Sequence, residues 1–278
     1  MKIGVFTENL SRWGDERYKM LKNIGYDCVD MGISEKLLTL DEAEFIQTFS
    51  EWRRMAEDAG IEISQVHGPW RWPPEDSTPE NRAERMEKMC SSIRATALLG
   101  CKHWVIHPIM PFGIEDLENG KAQETWDLNL AFMKELLVTA KENDVTICLE
   151  NMPMRKFSLA TPADILRFVK AINDEHFKIC LDTGHVAIFR DISLADSVRE
   201  LGDEIRTIHV HDNDGRYDLH RMPHYGIIDW EDFGKALREI QYQGVFSLET
   251  APSKGLPLEA AELIYEAMAV MAKKIIGE

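Results

Sequence analysis

The chain has 278 residues, 44% of them apolar, and its 32 basic and 48 acidic side chains give a formal net charge of −16. That is enough apolar material for one large core, and the acidic balance argues against nucleic acid or an anionic membrane as a partner. Five scattered cysteines, Cys28, Cys90, Cys101, Cys148 and Cys180, show no CxxC spacing. They read as small core residues in a reducing cytoplasm rather than as a disulfide framework. No signal-peptide or membrane-spanning pattern is visible, because the chain enters a strand pattern at once, so a cytoplasmic protein is expected.

In chain order, short apolar runs at residues 2–6, 28–31, 61–67, 103–107, 146–150, 178–182, 207–211 and 245–249 are predicted as strands. A helix-like stretch separates each from the next, which is the pattern of buried parallel strands with helical crossovers. Helices are predicted between them, for example over 40–59, 79–99 and 122–143. A closing helix over 257–276 carries Glu259, Glu262 and Glu266 on its polar face. Thr39 and Thr161 precede acidic residues of a first turn and are expected to cap helices. No linker or repeat breaks the rhythm. Eight strand–helix units in about the 250 residues usual for the fold predict a single (β/α)8 TIM barrel, an α/β domain over residues 1–278. The long irregular stretches 69–78 and 212–229 both follow strands, so both belong on the face where strand C-termini open.

Four of these runs end on metal-type ligands: Glu150, Asp182 with His185, His209 with His211, and Glu249. A buried charge at a strand end has no packing reason to be there. Three acids converging on one barrel mouth would repel each other without a cation, which points to a divalent metal. His209 and His211, two apart on a strand, face the same side at different depths, so one can be a ligand and the other a wall or substrate contact. His67 and His107 end neighbouring strands and suggest a second imidazole cluster. Asp218 and His220 share i,i+2 spacing within the long loop, which alone reads as an exposed turn. Arg216 in the same loop is a candidate for a substrate hydroxyl or phosphate. Trp13, Trp70 and Trp72 follow strands one and three and are candidates for an apolar wall of the site, whereas Trp230 at a helix start reads as structural.

Glu150-Asn151, Asp182-Thr183-Gly184-His185, His211-Asp212-Asn213-Asp214 and Gly226-Ile227-Ile228-Asp229-Trp230, in that order, resemble the xylose-isomerase-like barrel superfamily. That group includes sugar isomerases and epimerases and, more distantly, DNA-repair enzymes of the endonuclease IV type. The resemblance implies a metal-dependent isomerase or epimerase of a small sugar or sugar derivative. The divalent ion, Mn, Co, Mg or Zn, would be held by Glu150, Asp182, His211 and Glu249, with Glu150 and Glu249 also serving as the acid–base pair. His185 becomes a substrate contact, and His67, His107, His209, Arg216 and His220 join it as candidate substrate-binding residues. Removing a proton beside a carbonyl suits two carboxylates and a Lewis acid. The partner expected is then a small sugar, with no membrane or nucleic acid and with a homo-oligomer left open. The rival that the resemblance implies is a three-zinc phosphodiesterase, whose ligand set finds candidates in His67, His107, Glu150, Asp182, His185, His211, Asp218, His220 and Glu249.

Overall fold

Parallel strands β1 (Ile3–Phe6), β2 (Cys28–Gly32), β3 (Glu62–His67), β4 (His103–Ile106), β5 (Thr146–Glu150), β6 (Phe177–Asp182), β7 (Ile205–Val210) and β8 (Phe246–Leu248) pair in chain order. β8 returns to β1, so the sheet closes into a barrel and leaves no edge. The computed structural model describes residues 1–7, 10–70 and 73–277. Helices α1 (Arg17–Ile24), α2 (Glu42–Asp58), α3 (Pro79–Leu98), α4 (Ala122–Glu142), α5 (Pro162–Ile172), α6 (Thr183–Ile188), α7 (Leu194–Leu201), α8 (Trp230–Glu239) and α9 (Leu258–Ile276) occupy the crossovers and the end of the chain. This is the expected (β/α)8 TIM barrel, with each strand within two residues of its sequence-derived limits.

The period-two alternation of a strand explains how the barrel divides its side chains. Ile147 and Leu149, Ile179 and Leu181, Ile208 and Val210, and Phe246 and Leu248 are buried in the large apolar cluster shared with the helices. Fully burying one such side chain contributes about 1.5–3 kcal/mol. The alternate positions hold Cys148, Cys180, Thr207 and Ser247, and two residues further along Glu150, Asp182, His209 and Glu249. Cys148, Cys180 and Val105 form a small apolar cluster separate from the main one. The strands therefore carry hydrocarbon outward and chemistry inward.

The helices show why these sequences stop and start where they do. Thr161 caps α5 by accepting from Asp164 N–H at 3.2 Å, and Asp164 reaches back to Thr161 N–H at 3.2 Å, a complete capping box. Ile165, Phe168, Val169 and Ile172 then fall on one buried face. Asn173, with φ 52°, ends the helix in the left-handed conformation that Asn tolerates. Thr39 does not cap α2 as expected. It lies in a 3-10 turn and bonds Lys36, while Asp41 takes the cap by accepting from Glu44 N–H at 3.0 Å. The Asp182-Thr183-Gly184-His185 segment supplies the cap and first turn of α6. Among the described residues, no helix is long and apolar enough to cross a membrane.

Candidate active site

The inward side chains at the C-terminal ends of β3 to β8 meet at the barrel mouth, and those following β3, β4, β5 and β8 line a cavity of about 250 Å³ together with His185 of α6 and the loop after β7. Its wall includes His67, His107, Glu150, His185, Asp218, His220 and Glu249 on the polar side, and Trp70, Met152, Pro153 and Met154 on the apolar side. Three larger hollows, of about 530, 440 and 400 Å³, lie elsewhere, and none of them is lined by a cluster of histidines and acids like this one.

Glu150 is the hub. Its Oε1 lies 3.1 Å from His209 Nδ1 and 3.6 Å from His185 Nδ1, and its Oε2 lies 3.1 Å from His107 Nε2 and 3.4 Å from His67 Nε2. Glu249 Oε2 approaches the same His209 Nδ1 at 3.4 Å and His220 Nδ1 at 3.8 Å. On the far side Asp182 Oδ2 lies 3.0 Å from His211 Nε2. Asp218 bridges outward from there, 3.2 Å from His185 Nε2, 3.3 Å from His220 Nε2 and 3.6 Å from His211 Nε2. The rings of His211 and His220 stack with centroids 4.0 Å apart, and those of His67 and His209 at 5.6 Å.

Local sequence fixes this arrangement. Asp182 serves as the cap of α6, accepting from His185 N–H at 2.6 Å, which swings the His185 ring back over the mouth. Asn151 binds both neighbours of that turn. Its side chain accepts from Asp182 N–H at 2.8 Å, and its carbonyl faces His185 Nδ1 at 2.7 Å. Gly184 is required by packing, because a Cβ there would sit 2.0 Å from His211 Cε1. The long loop that carries Asp218 and His220 is gathered by buried Asp212. That carboxylate accepts from the N–H groups of Gly226 and Ile227 at 3.0 Å and from Trp230 Nε1 at 2.9 Å.

Electrostatics divides the two glutamates. Burial alone would raise Glu150, but His209 and His107 outweigh it and hold its carboxyl well below the ordinary range. Glu249 moves the other way: burial, then the Glu150 and Asp182 carboxylates, push it up against the opposing pull of His209. Burial brings His107 down to about 4, whereas carboxylates around His185 overcome burial and raise it.

A divalent cation fits this donor set. Glu150 Oε2, Glu249 Oε2 and His211 Nδ1 are buried without a hydrogen-bond partner, an expensive condition for groups of this kind. Groups of three potential ligands also occur in sets such as Asp182–His185–His211, His67–His107–Glu150 and His211–Asp218–His220.

Other residues singled out from the sequence fall in various places. His209 is fully buried beneath the mouth and is not part of the cavity wall, and neither are Asp182 and His211. Arg216 is exposed and also stays off the wall, its backbone N–H bonded to Asp214. Trp70 lines the cavity edge-on to His107 at 5.3 Å, whereas Trp13 turns to α9, where Nε1 donates to Glu262. Trp72 lies outside the described residues. Trp230 is buried and bonds Asp212, the structural placement expected of it. Sequence reasoning missed Asp30, a fully buried acid on β2 that faces His209, and Met152 and Met154 on the apolar wall. Asp30 was visible by the same signal as the others, an acid inside an apolar strand run.

A sequence model described as xylose isomerase-like TIM barrel matches residues 18–274. A D-psicose 3-epimerase of Enterocloster bolteae is 32% identical over 124 residues, covering 44% of this chain and 39% of that protein. A probable endonuclease 4 of Mycoplasmopsis agalactiae is 24% identical over 71% of this chain and 72% of that protein. The fold is also that of a D-psicose 3-epimerase crystallised in the presence of D-fructose, with a TM-score of 0.79, 18% identity and 100% of both chains covered.

Proposed function

Because the chain belongs to the xylose isomerase-like TIM barrel family, we propose that it is a divalent-metal-dependent epimerase or isomerase of a small sugar or sugar derivative. The observation that carries this reading is the pair Glu150 and Glu249, whose carboxylates reach within 3.1 and 3.4 Å of one imidazole nitrogen and both border a cavity of about 250 Å³. Sugar epimerases among the relatives support it.

Glu150, Asp182, His211 and Glu249 would hold the ion, with Mn, Co, Mg and Zn all suited to carboxylate and imidazole donors. Bound there, it supplies Lewis-acid polarisation of the substrate carbonyl. The chain's own groups do the rest. One of the two glutamates takes the proton from the carbon beside the carbonyl, and the other returns a proton to the opposite face, which inverts that carbon. His185, His220 and Asp218 bind hydroxyls along the polar wall. Trp70, Met152 and Met154 cover the C–H face of the sugar and exclude water.

The test is a panel of ketoses incubated with Mn-loaded enzyme in deuterated water. Epimer formation with deuterium entering beside the carbonyl is expected, and exchange-free product or no product on any sugar sinks the reading. Chelation should abolish turnover and lower Tm, since an ion present at a hundred times its Kd adds about 2.7 kcal/mol of stability.

The separable ligand groups around His107, His185 and His220 support a second reading, a multinuclear phosphodiesterase of the endonuclease IV kind. Metal content per chain discriminates. One ion favours the epimerase, and three zinc ions with cleavage of an abasic-site duplex favour the hydrolase.

A further inference from the structure

Beneath the two glutamates the barrel interior holds a carboxylate that the proposed chemistry does not use. Asp30, on β2, is fully buried, and its Oδ2 lies 3.2 Å from His209 Nε2, the ring edge opposite Glu150 and Glu249. The contact is at ion-pair distance without hydrogen-bond geometry, and both Asp30 Oδ1 and His209 Nε2 lack a hydrogen-bond partner. Gln65, on β3, donates from Nε2 to Asp30 Oδ2 at 2.8 Å and fixes the acid in turn. His209 is likewise fully buried and held flat against His67, with 17° between the rings.

A buried carboxylate is costly unless something pairs with it, so packing alone gives no reason for an acid at this depth. What the acid faces is the far nitrogen of an imidazole whose near nitrogen touches both glutamates. An imidazole gripped on one edge presents its other edge in a fixed direction, the device by which an outer carboxylate orients a functional histidine. We propose that Asp30, braced by Gln65, is a positioning residue: it holds His209 at the angle from which its Nδ1 reaches Glu150 and Glu249, and so sets the spacing of that pair. The inference rests on Glu150 and Glu249 being the proton-moving groups.

Asp30→Leu keeps the branched shape of the side chain and removes the charge that faces Nε2. Turnover of the metal-loaded enzyme should fall by about 10- to 100-fold, chiefly in kcat with KM little changed. Asp30→Asn keeps an oxygen facing Nε2 and should restore most of kcat. The readout independent of activity is the side-chain nitrogen spectrum of isotope-labelled histidine, with His209 assigned by its loss in His209→Gln. Asp30→Leu should move the His209 signals and leave those of His176, at the opposite end of the barrel, in place. Wild-type kcat with unmoved His209 signals overturns the proposal, as does an equal loss in the Asn and Leu variants with His176 moving too. Gln65→Leu guards against a variant that does not fold. A smaller fall in kcat and a partial shift at His209 are expected, and no change in either overturns the proposal. Full activity in Glu150→Gln would instead remove the acid–base assignment, while the His209 signals would still report on Asp30.

Discussion

The two faces of the same strands lead opposite lives. Outward, Leu149, Leu181, Val210 and Leu248 sit in a continuous apolar layer against the helices. Inward, one residue along, Glu150, Asp182, His211 and Glu249 converge as unlike a core as a buried surface can be. A residue's role here depends on the parity of its position more than on its burial, since all but the half-buried Glu249 are buried in both sets. Stability is concentrated on one face, and the other tolerates orphaned polar atoms and mutually repelling acids, the condition expected of a functional site.

The largest effect should come from the inner face. Glu150→Gln and Glu249→Gln each keep shape and remove a proposed proton-transfer group, so kcat should fall by about 10²–10⁴-fold or more. Near wild-type turnover in either variant breaks the acid–base assignment. Melting of the metal-free protein sharpens the contrast. Burial and the Glu150 and Asp182 carboxylates raise Glu249, so its folded pKa exceeds the unfolded one and its charge opposes folding above the ordinary carboxylate range. Metal-free Glu249→Gln should therefore melt no lower than wild type near neutral pH, with the difference closing as acid protonates Glu249 in the folded and unfolded wild type alike. A clearly lower Tm would mean that this carboxylate holds the barrel together.

The outer face should give the reverse. Leu149→Ala, one residue before Glu150, opens a cavity among fully buried neighbours and should cost about 2–5 kcal/mol of stability. Activity per folded molecule at low temperature should stay close to wild type. A large loss of kcat in the folded fraction would show that the two faces are coupled through the backbone of β5.

Much of this was legible beforehand, and the exceptions have physical causes. Acids at the ends of β5, β6 and β8 stood out because charge inside an apolar run is improbable on packing grounds, and the Thr161 cap because its partner Asp164 lies three residues away. α6 was missed because six residues are too few to show a helical period. Met152 and Met154 look like ordinary loop packing until the cavity places them opposite the acids. The ordering of the 212–229 loop depends on Asp212 meeting donors at Gly226, Ile227 and Trp230, a non-local match that spacing does not encode.

The smallest prediction tests where the chemical layer ends. Ser247 is fully buried on the inward parity of β8, two residues before Glu249, and its Oγ has no hydrogen-bond partner. A buried hydroxyl without a partner gains nothing from being polar, so Ser247→Ala loses little packing and sheds a desolvation cost. Tm should hold steady or rise, by the equivalent of about 1 kcal/mol at most, and kcat should be unchanged. Asp30 lies in the same interior and is expected to matter, because it faces His209 and Ser247 Oγ bonds nothing. Lost kcat in Ser247→Ala would extend the functional layer below the glutamates, and would make the polar interior a single unit rather than one acid–imidazole contact set among inert small residues.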